Sequence, residues 1–114
     1  MSEPTAVFAL DPDGPQIGTE ADALDIMGQL YGTDADLIAI PVQRLDPAFF
    51  DLSTGVAGAF TQKLLNYRHR LAFVGDISAH VAASNALRDY VYESNNGRQI
   101  WFVADEEELA ARLR

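Results

Sequence analysis

Two short stretches hold the residues whose types and spacing could do chemistry. The first is Asp51, Ser53, Thr54, Gly55 and Gly58; the second is Asp76, Ser78 and His80. A helix is expected to begin near Ser53 or Thr54. A helix start offers unpaired backbone N–H groups and the positive end of a dipole. A phosphate on either hydroxyl would find donors there and add up to about two negative charges, enough to switch a partner surface. The plainer role for Asp, Ser and Thr at such a place is capping. Gly55 and Gly58, three apart, allow either close approach of a ligand or close packing of helix on sheet. Packing is the better supported, because the spacing is not that of a phosphate-cradling loop.

His80, Asp76 and Ser53 would make a hydrolytic triad only if folding brought them together. No Gly-x-Ser-x-Gly turn marks a nucleophile, so catalysis is not the expectation. His69, between Arg68 and Arg70, reads as a solvated basic turn. Lys63, Arg68, Arg70 and Arg88 hold four of the eight positive charges. They read as a local basic patch for an acidic partner or as ordinary surface pairs. Cysteine is absent and the histidines lack ligand spacing. The acids at 11, 13, 34, 36 and 105–108 do not follow a calcium loop. Neither metal nor cofactor is expected.

The elements that must position these residues fit in one domain over residues 1–114, and 48% hydrophobic residues supply its core. Seventeen acids against eight bases give a net charge of −9. That field repels phosphate backbones and anionic lipid, so neither nucleic acid nor membrane is an expected partner. Residues 1–5 have no basic, apolar leader pattern, and no apolar run reaches the length of a bilayer span. A cytoplasmic location is the expectation.

Apolar runs at 7–10, 37–40, 71–74 and 100–103 read as strands, with a short return strand at 16–18. Residues 21–31 read as a helix capped by Thr19, with Ala23, Leu24, Met27, Leu30 and Tyr31 on its inner face. Val56, Ala57, Phe60, Leu64 and Tyr67 make the stripe of a second helix. A third covers 83–94, with Leu87, Tyr90, Val91 and Ser94 inward. Asp105 caps a short last helix, with Glu108 at the capping-box position. Alternating strands and helices predict an α/β domain: a mostly parallel central sheet of four to five strands with about four helices.

The stretch from Phe49 to Gly58 continues through Gln62-Lys63, Asn66-Tyr67-Arg68, the strand ending in Val74-Gly75-Asp76, and Leu87-Arg88-Asp89-Tyr90-Val91-Tyr92-Glu93-Ser94-Asn95 with Gly97. Together these resemble DUF4180, a bacterial family of single-domain proteins of unknown function. That resemblance implies fold and location but no activity. A more distant resemblance is to STAS domains, the small domains of anti-sigma factor antagonists and sulfate-transporter tails. It rests on a strand-like Phe49-Phe50-Asp51, on Ser53-Thr54-Gly55-Val56 opening a helix, on a Val-Gly strand and on the Asp105-Glu106-Glu107-Glu108-Leu109-Ala110 ending. It implies a STAS-like sandwich, with Ser53 and Thr54 matching the regulatory phosphosite.

The function expected from the sequence is a non-catalytic module that binds another protein, or a second copy of itself. Its surface would centre on Asp51 to Gly58 and on the loop from Gly75 to His80. The alternative is a ligand-binding protein or small enzyme. Its pocket would lie at the strand C-terminal ends, lined by Asp51, Asp76, Ser78 and His80.

Overall fold

The computed structural model describes residues 6–114. Residues 1–5, read above for a leader, lie outside them.

Four apolar runs become strands: β1 (Val7–Ala9), β2 (Leu37–Pro41), β3 (Arg70–Val74) and β4 (Ile100–Val103). They form one sheet in the order β1-β2-β3-β4, with every pair parallel. Each crossover therefore steps the same way along the sheet. Crossovers of one hand that all step one way must lay their helices on one face. That face carries α1 (Glu20–Leu30), α2 (Val56–Asn66), α3 (Ser78–Ala83) and α4 (Asn85–Asn96). The alternation of side chains along each strand sends Ile38, Ile40, Leu71, Phe73 and Phe102 into this main core. Leu37, Ala39, Ala72, Trp101 and Val103 point to the other face, which α5 (Glu106–Leu113) covers with Leu109 and Leu113.

Several expectations need correction. The return strand at 16–18 is a single parallel bridge between Ile17 and Leu45. Ile17 is buried and pins its loop, its N–H donating to the Arg44 carbonyl and its carbonyl accepting the Asp46 N–H, whereas the Gly18 N–H turns away to the Asp22 carboxylate. In α1 the buried residues are Ala23, Ile26 and Leu30, whereas Leu24 and Tyr31 are 49% and 92% exposed. Ala23, Ile26, Met27 and Leu30 form the tighter 3.6-residue stripe, and it prevails. Tyr67, 58% exposed, likewise falls outside the stripe of α2. The helix expected over 83–94 is α4, capped by Ser84, whose backbone is extended and whose hydroxyl accepts the Leu87 N–H at 3.1 Å; the short α3 before it was not expected. The stretch read as a loop up to His80 thus runs into α3. Phe49-Phe50 is not strand-like but lies in a 3-10 turn, Pro47–Phe50, which Asp46 caps at the Ala48 N–H.

The end of α2 has an unusual residue. Arg68 N–H donates to the Leu65 carbonyl and His69 N–H to the Leu64 carbonyl, the paired bonds of a Schellman motif. Its left-handed position usually takes glycine; here Arg68 stands there, with φ of 67°. Asn95, near the end of α4, braces edge strand β4. Its side chain accepts the Phe102 N–H at 2.7 Å and donates to the Phe102 carbonyl at 3.3 Å.

Candidate functional site

Phe49 fixes the first stretch in place. It is fully buried, edge-on to Phe50 and Phe60, with centroids 5.6 and 6.2 Å away, and tilted against Phe73 at 5.0 Å. In a strand, neighbouring side chains point to opposite faces; in the 3-10 turn Phe49 and Phe50 both reach inward. Asp51 follows directly. Its carboxylate accepts the Ser53 N–H at 3.1 Å and the Ser53 O–H at 2.6 Å, capping a second 3-10 turn, Leu52–Thr54. The Thr54 hydroxyl lies 2.9 and 2.8 Å from the Ala48 and Asp51 carbonyl oxygens and accepts the Val56 N–H at 3.2 Å. Gly55, at φ 77°, then turns the chain into α2. Helix α2 therefore starts at Val56, beyond both hydroxyls, so neither Ser53 nor Thr54 lies within its first turn.

The second stretch starts where β3 ends. Gly75 has φ 143°, and a Cβ there would overlap Val42 Cγ2, so only glycine fits. Asp76 accepts the Ser78 N–H at 2.9 Å. This bond, with help from the Ser78 hydroxyl, holds the Asp76 carboxyl below its ordinary value. His80 lies in the first turn of α3 and stacks on Phe50, with centroids 4.0 Å apart and rings 9° from parallel. The fold therefore brings the two stretches together through Phe50, a residue absent from the sequence-based site. The adjacent aromatic pair was the available signal: both rings are buried, Phe49 against Phe60 and Phe73, and Phe50 beneath the exposed His80 ring.

Chemically, the arrangement is not that of a triad. Ser53 donates to Asp51, Asp76 is taken by Ser78, and no hydrogen bond among the described residues joins His80 to either. None of five surface cavities on the described residues is lined by Asp51, Asp76, Ser78 or His80. The packing role expected for Gly55 and Gly58 also fails: apart from chain neighbours and the helix's own backbone, no described atom lies within 4 Å of a Cβ added at either. Gly55 is explained by its left-handed backbone, whereas exposed Gly58 has no partner among the described residues that requires it.

The basic residues divide. Arg68 and Arg70 line a cavity of about 500 Å³ at the opposite, N-terminal edge of the sheet, together with His69, Arg98 and Asp36. Lys63 and Arg88 are not among its lining residues. Arg98 escaped the sequence reading, yet a signal existed: it precedes β4 as Arg68 precedes β3, and parallel neighbours bring such positions side by side. Among the described residues, no three His, Asp or Glu side chains gather as a metal site, and no helix is long and apolar enough to cross a membrane.

Fold and surface define the class: an α/β domain built on one open, all-parallel sheet, with four helices on one face and loop-built surfaces at both strand ends. The chain belongs to the family described as a domain of unknown function, DUF4180, whose model matches residues 2–113. No curated protein and no solved structure matches the chain.

Proposed function

We propose that the chain is a non-catalytic, STAS-like protein-binding module of the bacterial cytoplasm. Its docking surface runs from Asp51 and Ser53 across His80 to the first turn of α2. The Phe50–His80 stack carries this reading, since it joins two separately chosen stretches into one exposed surface. Gly58 supports it. A glycine inside a helix costs about 0.5–1 kcal/mol relative to alanine, and no close contact among the described residues offsets that cost. Close approach of a partner backbone would.

Phosphorylation at Ser53 or Thr54 is the proposed switch, and Ser53 suits it better. Thr54 is held by three backbone groups, whereas Ser53 is exposed with a single side-chain bond. A phosphate on Ser53 would remove that O–H donor and set a dianion against Asp51. It would open the turn by charge repulsion rather than dock on the helix start. Affinity capture from the native host, with wild type, Ser53→Asp and His80→Ala compared by quantitative mass spectrometry, tests the reading. A partner retained by wild type and lost by both variants is expected. Identical captured sets for all three would refute the docking surface, and an effect of His80→Ala alone would refute the switch.

A further inference from the structure

We propose that the arginine-lined cavity at the N-terminal edge of the sheet binds a phosphomonoester with an aromatic body. This site lies across the sheet from the docking surface above and does not depend on it.

Charge is the first reason. Arg70 is paired with Asp36 at 3.3 Å, the one ion pair among the described residues. Arg68 and Arg98 therefore have no carboxylate partner there, in a chain with 17 acids and 8 bases. Three guanidinium groups against one carboxylate leave two positive charges in the cavity, matching a phosphomonoester dianion. Guanidinium groups also fit phosphate oxygens in pairs.

Preorganisation is the second. Arg70 is fixed on three sides: its Nε donates to the Arg98 carbonyl at 2.7 Å, its Nη1 to Asp36, and its guanidinium lies 4.8 Å over the Trp101 ring. Arg68 is presented from a left-handed position that glycine would occupy with less strain. The negative ends of α2 and α4 attract cations to this edge. That attraction does not require an arginine at the one position where a side chain is disfavoured.

The third reason is the adjoining surface. His69 also lines an apolar groove with Leu24, Met27, Tyr31 and Tyr67. Tyr31 and Tyr67 are 92% and 58% exposed, unburied aromatic rings beside a cationic cavity. An aromatic body extending from a phosphate held by the arginines would cover them.

Trp101, the one tryptophan in the chain, lies under Arg70 and reports on the cavity. The test is titration with phenyl phosphate, inorganic phosphate and benzoate at about 0.15 M salt. Tryptophan fluorescence and amide chemical shifts at 68–70 and 98–99 would be followed. Saturable binding of phenyl phosphate, at least tenfold tighter than either other probe, is expected. Arg98→Ala and Arg68→Gly should each weaken it tenfold or more while keeping the native amide spectrum. Arg88→Ala removes the same charge elsewhere and should change affinity less than twofold. Absence of saturation overturns the site. So does equal weakening by Arg88→Ala, which would reduce the effect to overall charge. Benzoate binding as tightly as phenyl phosphate overturns the phosphate assignment, and inorganic phosphate binding as tightly overturns the role of the groove.

Discussion

Replacing Arg68 by glycine should make the protein more stable. Arg68 closes the Schellman motif after α2 with φ of 67°. An L-residue held in the left-handed region costs about 1–2 kcal/mol, because its Cβ crowds the following carbonyl. Glycine escapes that cost but gives up more chain entropy on folding, about 0.5–1 kcal/mol. The difference leaves about 1 kcal/mol in favour of Arg68→Gly. For a chain of 114 residues, an unfolding entropy of about 2.1 cal/mol/K per residue converts that into a rise in Tm of about 4 °C. Arg68→Ala is the control. It removes the same guanidinium but keeps a Cβ in the strained position, so its Tm should stay within about 1–2 °C of wild type. Calorimetry on the three proteins, with urea unfolding to confirm an unchanged slope, makes the comparison. If Arg68→Gly melts at or below Arg68→Ala, the strain argument fails, and with it the claim that the cavity holds Arg68 at a conformational cost.

Gly58→Ala should stabilise the fold by about 0.5–1 kcal/mol in urea unfolding, since its Cβ meets open space, while weakening retention of a docked partner in the capture experiment. Gly75→Ala should cost about 2–3 kcal/mol by the same assay, because its Cβ would overlap Val42 and its backbone would remain at φ 143°. Asn95→Leu should cost about 1–3 kcal/mol and speed amide exchange at Phe102, whose N–H and carbonyl on the free edge of β4 would both lose their partner. Bonds from Thr19 and Gly18 hold the Asp22 carboxyl below its ordinary value of 3.8. The stability it adds is therefore complete above about pH 4 and falls away as pH drops through its lowered value. Asp22→Asn should accordingly lie below wild type at neutral pH and converge on it in acid; a gap that persists at pH 2 would show that the carboxylate charge is not responsible.

The strands were legible because their signal is local. Continuous apolar runs of four or five residues between turn residues have few other ways to be buried, and all four strands lie at their expected positions. Two caps were equally plain: Thr19 accepts the Asp22 N–H at 3.1 Å at the start of α1, and Asp105 accepts the Glu108 N–H at 2.9 Å at the start of α5. Membership of DUF4180 was also readable, through the combined motifs from Phe49 onward. Finer points failed where two local solutions compete. Phe49-Phe50 suits a strand as well as a 3-10 turn, and burial of both rings against Phe60, Phe73 and His80 chose the turn. Ser53-Thr54-Gly55 suits a helix start, but Asp51 captures the Ser53 hydroxyl and Gly55 goes left-handed, which delays α2 to Val56.

The sequence alone determined the alternation of strands and helices, the parallel sheet this requires, and the family, because each rests on residues close together in the chain. Only the tertiary structure decided which distant residues meet. Phe50 joins His80 across 30 residues, and Arg68 gathers with Arg98 across another 30. Those meetings depend on the order and register of parallel strands and on which helix face is buried. Such choices are settled by the packing of the whole core, and no short stretch of the chain encodes them.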